Sequence, residues 1–436
     1  PPVTLTPATT IPAPPVSTPP ATPAPPATTA PPATTKAPVV SPPPAPAAGA
    51  TASAALLPAA PPAPKRTFTV APWGSDTNPG TAEAPWKNLS RAVSRLVPGD
   101  HLVVRGGRYE AARDEQFDIH GKKGSPDAWI TIGAAPGERP VVQLNSFWQG
   151  FYVLNSSYVE IRGLEIIGTA LTDQRMTNAI EFRDSHHVRA IGNVVRDAGG
   201  CGICSIGADN IVIADNDISG TSKWNAYQAS GISVFQSKNL GTGDDARGYS
   251  AYVVGNRAHH NTNIIKSGTG LVTDGNCIIL DENNLSGYRG GILVANNLCY
   301  ENGGRGIHVL KTSRVLVVNN TLVNNLRHAD IDGGELTVAF TTGVVFRNNL
   351  TSPARSGKGI VNWDATGIVF DRNLHVGARP SVAGATDITA AAAIGADFRP
   401  TSTSPAIDAG SADRAPTVDI TGRSRTAPDI GAFEMR

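Results

Sequence analysis

The 436-residue chain reads as an all-β solenoid, a single coil of stacked parallel sheets, on three observations. Eight short segments repeat one pattern, an alternating and often β-branched run that ends at a polar corner. They are 159–164, 188–193, 211–216, 251–256, 292–297, 315–320, 344–349 and 368–373, and seven of them end in asparagine. The intervals between their last residues are 29, 23, 40, 41, 23, 29 and 24, a basic period near 23 that is stretched in places. A repeat of roughly 20–50 residues made of strands and turns is the signature of a solenoid.

The period predicts a second strand. Thirteen residues before Asn193, Asn216, Asn320, Asn349 and Asn373 stand Ile180, Ile203, Ile307, Leu336 and Ile360, each opening a strand-like run. Strand side chains alternate faces, so the first and third residues of each run face the bore and the second faces out. The column Asn193, Asn216, Asn256, Asn297, Asn320, Asn349 and Asn373 reads as an internal amide ladder at one corner. Asparagine also tolerates the left-handed backbone that a sharp corner needs.

Composition divides the chain. Residues 1–64 hold 22 of the 35 prolines, no acid and only Lys36 as a base. Residues 1–66 are therefore expected to be a disordered Pro/Thr/Ala-rich linker that buries nothing. Residues 67–436 are read as one folded domain, because a solenoid grows along one axis without splitting. From Lys65 onward the chain carries 36 bases and 36 acids. Such a balance gives no field to recruit nucleic acid, and no stretch approaches the roughly 20 apolar residues of a membrane span. The chain begins at Pro1 within the spacer. A tether of this kind on a neutral Gly- and Asn-rich coil suggests the mature form of an exported bacterial protein, secreted or at the cell surface and monomeric.

Ahead of the repeats, residues 67–110 form an N-terminal cap. Thr67–Val70 is a strand, Gly74–Gly80 a turn-rich loop, and Pro85 opens a helix ending at Pro98 and Gly99. That helix carries Trp86, Leu89, Ala92, Val93, Leu96 and Val97 on one face and is suited to cover the open end of the bore. Residues 400–436 are read as the C-terminal cap segment. Cys201 and Cys204 form a Cys-x-x-Cys pair, whereas Cys277 and Cys299 lie in different strand columns. Four zinc ligands at convincing spacing are lacking, so buried thiols or one disulfide are expected.

Two stretches carry a family resemblance. Val70–Thr81, followed by Ala84–Leu89 and Pro98–Tyr109, resembles the opening of secreted right-handed parallel β-helix proteins of the pectate lyase-like superfamily. Ser404–Gly410 and Ala427–Glu434 are similar to the closing segment of choice-of-anchor β-helix proteins. The resemblance implies a right-handed parallel β-helix over residues 67–436. It is weak for chemistry, because that superfamily holds hydrolases, epimerases and non-catalytic surface proteins as well as lyases.

The stretched intervals point to a site. Those ending at Asn256 and Asn297 exceed a basic rung by 17 and 18 residues, which must leave the coil as loops on adjacent rungs, where sites are built. This material offers Trp224, Tyr227, Lys238 and Arg289 as substrate contacts. The charges cluster next to it, with Asp274, Asp281 and Glu282 on one rung and Arg305, His308 and Lys311 on the next. A rung spacing of about 4.8 Å places Asp281 and Glu282 beside Leu310 and Lys311. His308 is expected to point outward into a groove.

β-Elimination in an acidic polysaccharide needs a neutralised substrate carboxylate and a base over the adjacent carbon. Arg305, His308 and Lys311 are the catalytic candidates. Asp274, Asp281 and Glu282 are candidate ligands for calcium, the cation and Lys or Arg base that the resemblance implies, although no compact Asp-Asp-Gly motif is present. Bland readings stand beside these: Glu282 and Lys311 as solvated corners, Arg305 as a turn cap. Glu181, Arg183 and Asp184 form a lesser charged strip, read as groove wall. Two other functions remain open. One is a glycoside hydrolase using Asp274 with Asp281, or Glu282 with Asp364, or an epimerase on the same fold; the other is a non-catalytic glycan-binding or structural surface protein.

Overall fold

The computed structural model describes residues 52–354, 358–377, 380–391 and 393–435. The chain coils as a right-handed parallel β-helix of three sheets, which we number I to III. Sheet I has 11 strands, from Arg66–Val70 to Val369–Asp371. Sheet II has nine, from Phe117–His120 to Ile360–Trp363, and sheet III has 11, from Arg108–Glu110 to Ile388–Ala390. One rung runs from sheet II to sheet I to sheet III, as in Asn178–Arg183, His186–Ile191 and Val194–Arg196.

The expected second strands pair in register, Ile180 with Ile203 and Ile307 with Leu336 and then Ile360. Alternation fills the bore. Phe151, Ile180, Ile203, Ile232, Ile278 and Ile307 are fully buried in one continuous cluster. Each such side chain contributes on the order of 1.5–3 kcal/mol.

The asparagine column is a ladder. Asn193 Nδ2 donates to Asn216 Oδ1 at 3.1 Å, Asn216 Nδ2 to Asn256 Oδ1 at 2.9 Å, and Asn256 Nδ2 to Asn297 Oδ1 at 3.0 Å. The series continues through Asn320 and Asn349 to Asn373, which donates to Asp387 Oδ1 at 3.1 Å. The left-handed backbone falls one residue earlier than expected. Gly192, Asp215, Gly255, Asn296, Asn319, Asn348 and Arg372 take φ between 53° and 70°, and the ladder residues do not. The corner is turned by the preceding residue, which leaves the ladder amide free to point inward.

A second ladder stands five residues further along each rung. It runs from Thr221 through Asn261, Asn302 and Asn325 to Glu335, with Asn325 N and Nδ2 donating to Glu335 at 3.0 and 2.6 Å. The recurring five-residue step from Asn256, Asn297 and Asn320 was its sequence signal.

Three expectations about the ends need correction. The helix spans Leu89–Arg95, with Asn88 as N-cap accepting from Arg91 N at 2.8 Å. Pro85 and Trp86 precede it, and Trp86 instead bridges Val70 and stacks on Phe68 at 4.8 Å. Val97 is exposed. Second, residues 52–65 do not behave as linker. Ser53 is buried and its Oγ donates to Asp215 at 2.8 Å, while Leu56 packs on Ile191, Val212 and Tyr252 of sheet I. The linker expectation for residues 1–51 lies outside the described residues.

Third, the C-terminal segment does not plug the end of the bore. It runs back along the outer face of sheet III, with Phe433 and Ile420 on Leu298, Tyr300 and Val323, and Ile430 on Leu350 and Leu374. The buried Arg425–Glu434 pair at 2.8 Å secures it. Thus the outer faces of sheets I and III are each covered in part by an end of the folded chain. Both cysteine pairs, Cys201–Cys204 and Cys277–Cys299, are disulfides, one more than expected.

Candidate functional site

The outer face of sheet II carries the candidate site. The register aligns Tyr152, Glu181, Cys204, Ser233 and Ile279 in one outward column, and Leu154, Arg183, Ile206, Phe235 and Asp281 in the next. Loops entering the same sheet form a wall with Trp148, Asn225, Tyr227, Gln228 and Asp274. Floor and wall enclose a cavity of about 360 Å3. Both stretched intervals therefore contribute, the first with Tyr227 and the second with Asp274.

The charges in this cavity are arranged unequally. Glu181 is fully buried, accepting from Arg183 Nε at 2.7 Å and from Asn178 Nδ2 at 2.8 Å. Arg183 keeps 37 % of its side chain exposed. Burial works against its charge, but Glu181 outweighs it and the guanidinium stays charged. Asp274 is pushed up by burial, against the pull of Arg305 and Asn276. Asp281 is pushed up to about 7, first by burial and then by repulsion from Asp274 and Glu282. Its Oδ1 is buried without a hydrogen-bond partner. A carboxyl group of this kind holds or releases a proton near neutral pH, as general acid–base work requires.

The expected catalytic trio is not assembled. Arg305 is 7 % exposed and His308 5 %. Arg305 Nη1 donates to Thr273 O at 3.1 Å, and its guanidinium lies 5.2 Å over the Trp363 ring. Trp363 meets His308 edge-on at 6.3 Å. His308 does point away from the bore, as alternation requires, but it is covered. The turn at Gly333 packs so closely on Arg305 that an added Cβ would lie 2.7 Å from its Nε. Both His308 nitrogens lack partners, and burial with Arg305 nearby holds its imidazole well below the ordinary range. Lys311 sits at the sheet II to sheet I corner in an ion pair with Glu282 at 2.9 Å, outside the cavity lining.

The expected calcium set is not assembled either. Glu282 turns away to Lys311 and Gln236. Among the described residues, the three carboxylates that converge within 4.8 Å are Asp408, Asp429 and Glu434, in the C-terminal segment. The donor set formed by Asp274, Asp281 and Glu282 therefore does not fit a calcium cage.

Of the expected substrate contacts, Tyr227 is 77 % exposed and lines the cavity. Trp224 does not line it; its Nε1 donates to Ala170 O at 2.8 Å and Lys223 covers its ring. Lys238 pairs with Asp184 at 2.5 Å at the far edge of sheet II, and Arg289 is exposed on the following loop, where its N donates to Asn239. Sequence reasoning missed Trp148 and demoted Glu181 and Arg183 to wall. The adjacent aromatics Phe147 and Trp148, just before a strand in a chain with 6 % aromatic residues, were the available signal.

The cavity lies inside the part of the chain that matches a known family model, "Pel9A-like, right handed beta helix region", over residues 68–330. The chain belongs to the Pel9A-like right-handed β-helix family. A curated relative, pectate lyase L of Dickeya chrysanthemi, is 28 % identical over 151 residues, covering 31 % of this chain. The chain spans only 35 % of that relative's length. Among solved structures, pectate lyase Pel9A is similar at 20 % identity and TM-score 0.44, covering 86 % of this chain and 97 % of its own. An alginate lyase from Paenibacillus sp. str. FPU-7 is similar at 18 % identity and TM-score 0.40, covering 74 % and 97 %. Family membership rests on the family match; the chemistry rests on the cavity.

Proposed function

We propose that the protein is a polysaccharide lyase acting outside the cell on an acidic, uronate-containing polymer held in the sheet II cavity. The observation that carries this reading is Asp281, a carboxyl poised near pH 7 on a cavity that also presents the partly exposed guanidinium of Arg183 and the face of Tyr227. The family match and the pectate lyase relative support the reaction class.

In this reading Arg183, three strands from Asp281 along sheet II and so roughly 14 Å away, takes the carboxylate of another uronate of the chain and sets the position of the polymer. Asp281 in its charged form removes the proton from the carbon beside the carboxylate of the reacting uronate. The electron pair forms the new double bond as the glycosidic C–O bond breaks, and the departing oxygen is protonated from water. Asp274 raises the basicity of Asp281 by repulsion, and Tyr227 stacks on a sugar ring. No step is routed through calcium.

A second reading is favoured by one observation, since Asp274 and Asp281 are two raised carboxyls on one cavity. Such a pair also suits a glycoside hydrolase, with one group as acid and the other as base. A panel of pectate, alginate, glycosaminoglycan and bacterial exopolysaccharide separates the two. The lyase produces ultraviolet absorbance from an unsaturated end, with and without chelator. New reducing ends without that absorbance would establish hydrolysis and overturn the lyase reading.

A further inference from the structure

The cavity continues past Trp148 into a second hollow. Three successive rungs deliver it at the same edge of sheet II, with Arg113 and Gln116, then Ser146, Phe147 and Trp148, then Asp173 and Arg175. The hollow encloses about 480 Å3, and Trp148 lines both spaces. We propose that it is a further sugar subsite, which stacks one ring on Trp148, with Phe147 set edge-on beside it, and takes its carboxylate on Arg113. The inference rests on the reading of the cavity as a polysaccharide cleft.

Three observations support it. First, the edge is rigidly built. Arg175 is nearly buried and donates to Asp173 at 2.6 Å, Asp114 at 2.7 Å and Asn145 O at 2.8 Å, tying three loops together. Second, large aromatic side chains stand exposed there in a row. Phe147 is 40 % exposed, Trp148 45 % and Tyr227 77 %, with centroids 4.9 Å apart between the first two and 6.4 Å between the last two. Aromatic faces left this open to water are suited to the apolar faces of sugar rings. Third, the two acids of the hollow, Asp114 and Asp173, are balanced by its two cations, and Arg175 makes the short bonds to both, so Arg113 keeps donors that can turn to a ligand. Arg113 is 77 % exposed and meets Asp114 only at 3.7 Å.

The occupant follows from continuity. A polymer whose reacting residue sits beside Asp281 runs four strands, roughly 19 Å, to Trp148 and enters this hollow, so the ligand is an acidic residue several units further along the same chain. The enzyme then prefers longer oligosaccharides, and the gain appears in KM and not in kcat.

Affinity electrophoresis through polygalacturonate, alginate and a neutral galactan tests this without turnover. Trp148→Ala is expected to weaken retention by acidic polymer about tenfold, equivalent to losing roughly 1.4 kcal/mol of binding. Arg113→Gln and Phe147→Ala are expected to weaken it several-fold, Arg113→Gln for the acidic polymers alone. Trp73→Ala, which removes an exposed ring elsewhere on the surface, leaves retention unchanged. Arg113 and Phe147 are exposed, so those two variants keep the test open even where Trp148→Ala fails to fold. Wild-type-like retention in Arg113→Gln and Phe147→Ala, or no retention of the wild type by any acidic polymer, overturns the subsite. Retention without cleavage leaves the subsite standing and overturns only the lyase reading.

Discussion

Two halves of one sheet face make a useful comparison. From Gln149–Leu154 to Ile278–Asp281 the outer side of sheet II is an open cleft with Glu181, Arg183 and Asp281 facing it. From Ile307–Leu310 to Ile360–Trp363 the same columns continue as His308, Thr337 and Val361, and as Leu310, Ala339 and Trp363. The backbone is the same in both halves. What differs is the cover: the turn at Gly333 and the ring of Trp363 close over Arg305 and His308. A periodic scaffold therefore fixes where a side chain points, whereas the loops decide whether anything can reach it.

The largest effect is expected in the open half. Asp281→Asn should lower turnover by roughly 10²–10⁴, with little change in thermal unfolding. With Asp281 as the base, the rate should rise with pH through about 7, because the group must lose its proton. A rate that falls through the same range would assign it as an acid and favour hydrolysis.

In the closed half, Arg305→Met should act on stability. It removes a buried cation that faces Asp274 and strips Thr273 O of its donor, at a cost of about 2–3 kcal/mol in urea unfolding. Activity per folded molecule should change less than that of Asp281→Asn. A kinetic collapse without destabilisation would show that Arg305 is reached by substrate and erase the distinction between the halves.

Glu335 supplies a smaller, pH-dependent effect. It is fully buried, and burial pushes it up to about 8 against the two bonds from Asn325. Its folded value lies above its unfolded one, so the folded state holds the proton more tightly. Stability should therefore be highest below the ordinary glutamate range and fall as pH rises through about 8, by up to roughly 1.4 kcal/mol per pH unit. Glu335→Gln should flatten that slope in denaturant titrations. The smallest effect is expected at His308, whose nitrogens already lack partners. His308→Phe should leave turnover within about twofold and stability within roughly 1 kcal/mol.

Much of the fold was legible because it is periodic. The column of seven asparagines, the strands thirteen residues upstream and the pairing of Asp281 with Leu310 all follow from counting. The site was legible only in part. Counting placed His308 outward and found Tyr227 and Asp274 in the long intervals, but the cover over His308 comes from residues 25 positions further along the chain at Gly333. The role of Ser53 and Leu56 was hidden for a different reason. Two small anchors in a Pro/Ala/Thr background carry no period, and their burial depends on a sheet face far away in sequence.

The ladders have a direction. Each asparagine gives its N and Nδ2 donors to the oxygen of the next, so each series must finish on a group whose oxygens can receive both, and the carboxyl groups of Asp387 and Glu335 stand at those two places. The acceptor at the end is a full stop, and everything before it is interchangeable text. Duplicating one 23-residue unit anywhere upstream lengthens the coil without a new terminator. Losing the last residue leaves the preceding asparagine with its N–H and one Nδ2 hydrogen unpartnered, since the other still reaches Phe346 O or Cys299 O. A lineage of such proteins can thus change length by copying from the middle, while the terminal acid of each ladder is the part it cannot exchange.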